Sequence, residues 1–172
     1  MVNFDYQTPT RLIFGKGVVS EKLASVMNQY GKRVLITYGG GSIKRTAPGH
    51  DKSLYDLVKD TLTDKQVFEL GGIQPNPKFN PSVLDGVRMC QDNDIDVILA
   101  VGGGSVLDCT KAIAGVAGTL KTKVTDNVEE AWDIVCGRKP TTAAVPIVDI
   151  ITMAATGSEY DMGGVISRTE TN

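Results

Sequence analysis

Two stretches of this sequence set glycines and a serine directly after an apolar run: Gly39-Gly40-Gly41-Ser42 and Gly102-Gly103-Gly104-Ser105. Glycines at a helix start leave backbone N–H groups and the positive end of the helix dipole open to an anion, with no Cβ in the way. The chemistry this favours is phosphate or pyrophosphate binding. Asp108, three residues after Ser105, offers a second reading, in which Ser105 is the N-cap of a capping box and the helix start closes on itself. A cap, however, does not need three consecutive glycines. Other reactive groups are sparse. His50 is the only histidine and lies in a polar stretch, so no histidine cluster for metal binding or acid–base catalysis can form within the chain. The acidic residues near the glycine motifs, Asp108, Asp149, Glu159 and Asp161, have no imidazole partners, and the expectation is that this chain holds no metal ion. There is no Gly-x-Gly-x-x-Gly fingerprint, no Walker A lysine and no Gly-x-Ser-x-Gly nucleophile turn. Asp92, Asp94 and Asp96 imitate the start of a calcium loop but lack its glycine and its twelfth-position glutamate.

The glycine turns need strands before them and helices after them, and the sequence supplies both. Val97 to Val101 is an unbroken apolar run of strand length, and Lys32 to Tyr38 is a second strand of the same type, which suits strands buried on both faces of a parallel sheet. Val106, Thr110, Ile113 and Ala117 recur at helical spacing, predicting a helix from Ser105. Further strands are predicted at Thr8–Phe14, Gln66–Leu70, Ala143–Ile151 and Met162–Arg168. Helices are predicted at Val18–Tyr30 with Gly31 as C-cap, at Leu54–Leu62, from Pro81, and at Val128–Ile134. Between them lie a polar loop, Thr46–Ser53, and a rigid turn, Gly71–Pro77, stiffened by Pro75 and Pro77. Strands alternating with helices predict an α/β fold. Its expected form is a parallel sheet with helices on both faces, Rossmann-like, plus a β-hairpin from the terminal strands, with the ligand at the carboxyl ends of the strands.

At 172 residues the chain is long enough for one domain with a proper core. Its net charge of −2, with basic residues scattered, favours neither nucleic acid nor an anionic membrane as partner. No apolar run reaches membrane-spanning length, and the first residues are polar and mixed, so neither anchor nor secretory signal is expected. Cys90, Cys109 and Cys136 are widely spaced with no Cys-x-x-Cys, which indicates neither a disulfide framework nor a zinc knuckle and fits a reducing, cytoplasmic setting.

Taken together, four motifs in order and spacing resemble the iron-containing alcohol dehydrogenases, in particular the butanol dehydrogenases. They are Gly39-Gly40-Gly41-Ser42-Ile43-Lys44-Arg45 after a strand, Pro75-Asn76-Pro77, Gly102 through Asp108, and Ala155-Thr156-Gly157-Ser158-Glu159. The resemblance covers essentially the whole chain but only the amino-terminal half of the family's usual length. It implies that residues 1–172 form a domain binding NADP or NAD. Pyrophosphate would lie on Gly103, Gly104 and Ser105, with Gly40, Gly41 and Ser42 on the adenosine side. Asn76 would support the ribose region, Asp108 would sit near the nicotinamide, and Thr152 and Thr156 would line the adenine or phosphate wall. It also implies a divalent metal, iron or zinc, held by an aspartate and three histidines of a following helical domain that has no counterpart up to Asn172. The implied function is the cofactor domain of a metal-dependent alcohol or aldehyde oxidoreductase, inactive alone. The alternative is a non-catalytic nucleotide-binding or interaction module of the same origin. The strand before Gly39 ends without the acidic residue that repels a 2′-phosphate, and Ser42, Lys44 and Arg45 stand nearby, so NADP should be tolerated. A homodimer is expected, through apolar surface near the carboxyl end of the sheet or through an edge strand at Thr8–Phe14.

Overall fold

The structure is a computed structural model, and it describes residues 8–169. Four parallel strands form one sheet: β1 Arg33–Tyr38, β2 Gln66–Leu70, β3 Val97–Gly102 and β4 Ile147–Ile151, in the spatial order β2-β1-β3-β4. Five α-helices accompany them: α1 Val18–Met27, α2 Leu54–Thr61, α3 Leu84–Asp92, α4 Gly104–Thr119 and α5 Val128–Val135.

Side chains alternate across the strands, so each strand feeds two cores. Leu35, Ile98 and Ala100 pack with Val83, Val87, Ile113 and Ile134 on the α3, α4 and α5 face. Val34, Ile36, Val97, Leu99 and Val101 pack with Leu23, Met27 and Val58 on the α1 and α2 face. That is why β1 and β3 read as continuous apolar runs: neither face of either strand meets water. The one polar residue inside β1 is accommodated by α4. The Thr110 hydroxyl donates to the Val106 carbonyl at 2.8 Å and lies 2.7 Å from the Thr37 hydroxyl, both fully buried, so Thr37 is left as the donor of the second bond.

The chain leaves β1 toward β2 through α2, then returns past β1 to β3 through α3 on the other face. The winding direction therefore reverses between β1 and β3, and open α/β sheets form their ligand crevice at the carboxyl ends of such a pair of strands. No helix among the described residues is long and apolar enough to cross a membrane.

Several expectations need correction. The terminal β-hairpin does not form among the described residues. Thr8–Phe14 is not a strand, and Met162–Arg168 makes only one isolated parallel bridge, Ser167 with Lys78. Its backbone is claimed instead by the Pro77–Phe79 segment, where Phe79 N–H donates to Ser167 and Ser167 N–H to Pro77. Helix α1 stops at Met27, three residues before Tyr30, and Gly31 is not its cap. A Cβ at Gly31 would lie 2.3 Å from the Asp96 carboxyl, and that carboxylate accepts from the Arg33 N–H, so Gly31 makes room for a contact at the start of β1. Strand β4 begins at Ile147 because Pro146 has no N–H to give the ladder. Helix α4 starts at Gly104 with Gly103 at the cap position, and Ser105 makes no capping bond.

Candidate functional site

The carboxyl ends of β1 and β3 are adjacent, with Tyr38 opposite Val101, so the two glycine turns are neighbours. Gly72 N–H donates to the Gly39 carbonyl and Thr152 N–H to the Gly102 carbonyl, which draws the ends of β2 and β4 into the same rim. Within each turn the glycines do different work. A Cβ on Gly102 would strike Val106 at 2.6 Å, so that glycine lets the strand fold back against α4. Gly40, Gly41 and Gly104 face open space, and Gly41 also has a left-handed φ of 93° that a side chain would strain.

At the start of α4 the N–H groups of Gly104 and Ser105 have no acceptor within the helix, and no side chain caps them. They open into a cleft of about 310 Å³ lined by Asn76, Pro77, Gly104, Ser105, Asp108, Met153, Ala155, Thr156 and Val165. The structure therefore brings together Asn76, Gly104, Ser105, Asp108 and Thr156 of the residues singled out in the sequence, with Gly103 beside Met153. Asn76 holds its turn in a left-handed conformation, φ 53°, between the two prolines. Gly40, Gly41 and Ser42 lie on the neighbouring turn rather than in this cleft, and Thr152 is an exposed residue at the end of β4.

Asp108 closes no capping box. Its carboxylate accepts from the Ser158 hydroxyl at 2.7 Å and from the Val165 N–H at 3.0 Å. One turn on, the Lys111 ammonium donates to the Ser158 carbonyl at 3.0 Å, to the Asp161 carboxylate at 2.8 Å and to the Gly163 carbonyl. Asp108 and Lys111 share one face of α4, 3.6 Å apart, and together they pin residues 158–165 as a wall of the cleft. Sequence reading missed Lys111, although its spacing from Asp108 was a usable signal. It also missed Met153 and Val165, the latter placed by its own N–H bond to Asp108.

A second polar cluster sits beside the first glycine turn. The Lys44 ammonium donates to the Tyr38 hydroxyl at 2.8 Å and lies 4.7 Å and 4.5 Å from the ring centres of Tyr38 and Tyr55. Glu69 accepts from Tyr55 at 2.8 Å, from Lys59 at 3.0 Å and from Tyr38 at 3.1 Å. Burial works to raise the Glu69 carboxyl, but these three donors outweigh it and hold the group below the usual carboxylate range. Burial pushes the thiols of Cys90 and Cys109 up to about 12.

The family model for iron-containing alcohol dehydrogenase matches residues 9–172. The chain belongs to that family. It is 47% identical over 173 residues to the probable NADH-dependent butanol dehydrogenase 1 of Bacillus subtilis, covering 99% of this chain and 41% of the relative. It is 40% identical to the NADPH-dependent aldehyde reductase YqhD of Escherichia coli, covering 99% of this chain and 41% of the relative. The crystal structure of YqhD superposes with a TM-score of 0.79 over 98% of this chain and 40% of that one. This iron-containing alcohol dehydrogenase chain thus spans about two fifths of the length of the curated relatives it matches. Among its described residues no three His, Cys, Asp or Glu side chains converge to hold a metal ion, and His50 stands on an exposed loop.

Proposed function

We propose that these residues form the dinucleotide-binding part of an NADP- or NAD-dependent alcohol or aldehyde oxidoreductase. The observation that carries this reading is the pair of glycine turns side by side at the reversal between β1 and β3, one of them opening uncapped helix N–H groups into the cleft. Such a crevice suits a diphosphate bridge, with its two nucleoside arms spread to either side. The names of the relatives, which specify NADH for one and NADPH for another, support the same cofactor class. A bound nicotinamide would supply the hydride chemistry, and this chain's residues would bind and orient the cofactor. Gly103, Gly104 and Ser105 would carry the pyrophosphate, Gly40, Gly41 and Ser42 would approach the adenosine side, and Asn76 and Thr156 would border the cleft beside Asp108. Titration calorimetry of the folded chain with NAD and with NADP should give saturable heat, weak in keeping with a cleft open on one side. Absence of heat with both would defeat the reading.

The reading extends to self-association. Leu12, Phe14, Met153, Met162 and Val165 are exposed, Phe14 and Met162 almost completely at 92% and 98%. The Thr10 hydroxyl donates to the Glu159 carbonyl, which brings the segment bearing Leu12 and Phe14 toward the one bearing Met162 and Val165. Apolar side chains gathered in this way favour burial against a second copy. Sedimentation should show a dimer whose fraction rises with concentration, and a monomer throughout the accessible range would contradict it.

A further inference from the structure

The cleft has two walls that come from distant parts of the chain: Asn76 and Pro77, in the turn after β2, and Val165, in the segment after β4. Just past Val165 the two walls meet. Phe79 N–H donates to the Ser167 carbonyl at 2.8 Å, and Ser167 N–H donates to the Pro77 carbonyl at 2.9 Å. This is an isolated bridge of two bonds, and so short a pairing opens easily unless something else holds it. The next residue supplies the hold. The Arg168 side chain is only 9% exposed, and its guanidinium lies 5.5 Å from the ring centres of both Phe79 and Trp132. It also donates to the Glu129 carboxylate at 2.9 Å. The two rings touch each other, with centroids 5.0 Å apart, and a cation shielded from water on two aromatic faces is strongly placed. Both rings are fixed in turn. Phe79 is fully buried, and Trp132 and Glu129 belong to α5, whose Ala131 and Ile134 enter the same core.

From this geometry we infer that Arg168 is a positioning residue for the dinucleotide cleft: it fastens the end of the Val165 wall to the Asn76–Pro77 turn and to α5, without itself lining the cleft. The inference rests on the dinucleotide reading above. Asp108 and Lys111 hold the same wall to α4 farther up the segment, and Arg168 fixes its far end. A ligand that needs both walls in place binds more weakly in proportion to the time they spend apart. If the bridge is formed only about a tenth of the time without Arg168, affinity falls about tenfold.

The test combines calorimetry with amide exchange on the 172-residue chain. Arg168→Met keeps a stem against the rings but removes the cation. It should weaken NADP about tenfold and speed exchange at the Phe79 and Ser167 N–H groups, while the amides of β3 keep their protection. Saturating NADP should slow exchange at those two amides again, because ligand and bridge must favour each other reciprocally. Arg168→Lys, which retains a cation for the rings, should recover part of the affinity. Wild-type affinity in Arg168→Met would overturn the inference, as would exchange at Phe79 and Ser167 that NADP does not slow. A loss of protection throughout the sheet in both variants would make Arg168 a residue of the core only and would overturn it equally. Those outcomes leave the dinucleotide reading standing. Binding of neither NADP nor NAD by the folded wild-type chain would remove both.

Discussion

Gly104→Asp should weaken dinucleotide binding by at least about a hundredfold while the fold stays intact. The position tolerates a side chain: a Cβ there meets nothing within 4 Å, and the backbone φ is not in the left-handed region. An acid in the first turn of a helix suits the dipole, and replacing glycine reduces the freedom of the unfolded chain, so no loss of stability is expected. The carboxylate would, however, stand where the uncapped N–H groups meet the pyrophosphate. Two unit charges about 4 Å apart near a protein surface repel by about 4 kcal/mol, which converts to roughly a thousandfold in affinity. Gly104→Ala separates charge from bulk and should lose less than about tenfold. Calorimetry with NAD or NADP, with a thermal melt as control, decides the matter. Near-wild-type affinity in a folded Gly104→Asp chain would place the phosphates elsewhere.

The second large effect is expected at Asp108. Its side chain is only 16% exposed, and the carboxylate takes two donors from a segment 50 and 57 residues away in sequence. Removing it in Asp108→Ala leaves the Val165 N–H and the Ser158 hydroxyl without their acceptor, and leaves Lys111 beside no carboxylate of its own helix. Hydrogen bonds to a charged group are worth about 1.5 to 3 kcal/mol each, and the residues involved act as one unit, so a loss of about 3 kcal/mol in urea unfolding is expected. Amide exchange at Val165 should accelerate well before global unfolding. Asp108→Asn keeps the shape and one acceptor oxygen. It should lose about half as much, because its oxygen can still accept from the Val165 N–H while its NH2 donates to the Ser158 hydroxyl oxygen, but neither bond then involves a charged group. A change below about 0.5 kcal/mol in Asp108→Ala would show that the segment is held by Lys111 alone.

What the sequence made legible was whatever depends on near neighbours. Val97–Val101 and Val34–Tyr38 announce doubly buried strands because every position contributes to one core or the other. The α4 start was legible to within a residue, but its cap was not. The spacing from Ser105 to Asp108 points to a cap at Ser105, whereas the Asp108 carboxylate finds better donors in a segment folded over from far along the chain. The hairpin failed for a related reason. The 162–168 stretch has strand character, but in three dimensions its nearest free backbone is Pro77–Phe79, a pairing of distant segments that no local pattern specifies. The cluster of Tyr38, Lys44, Tyr55 and Glu69 was half legible. Lys44 stood out as a cation after a glycine turn, but its aromatic seat exists only because β1 pairs with β2 and α2 packs beside them.

Strand β4 lies at the border of the sheet, with only β3 as a partner among the described strands. At its centre is Asp149, on the same face as Ile147 and Ile151, with one carboxylate oxygen buried and lacking a hydrogen-bond partner among the described residues. Burial, with the negative charge of Glu159 adding to it, pushes its carboxyl above the ordinary range. An acid in that setting weakens the native state at neutral pH, since the charged form is better solvated in the unfolded chain. It also makes the border inhospitable to an unrelated β-strand. An incoming apolar segment would have to cover an ionised group that it cannot satisfy, and inward-pointing charges on border strands are one way soluble proteins resist amyloid-like stacking. The chain thus trades some thermodynamic stability for resistance to strand addition at this border.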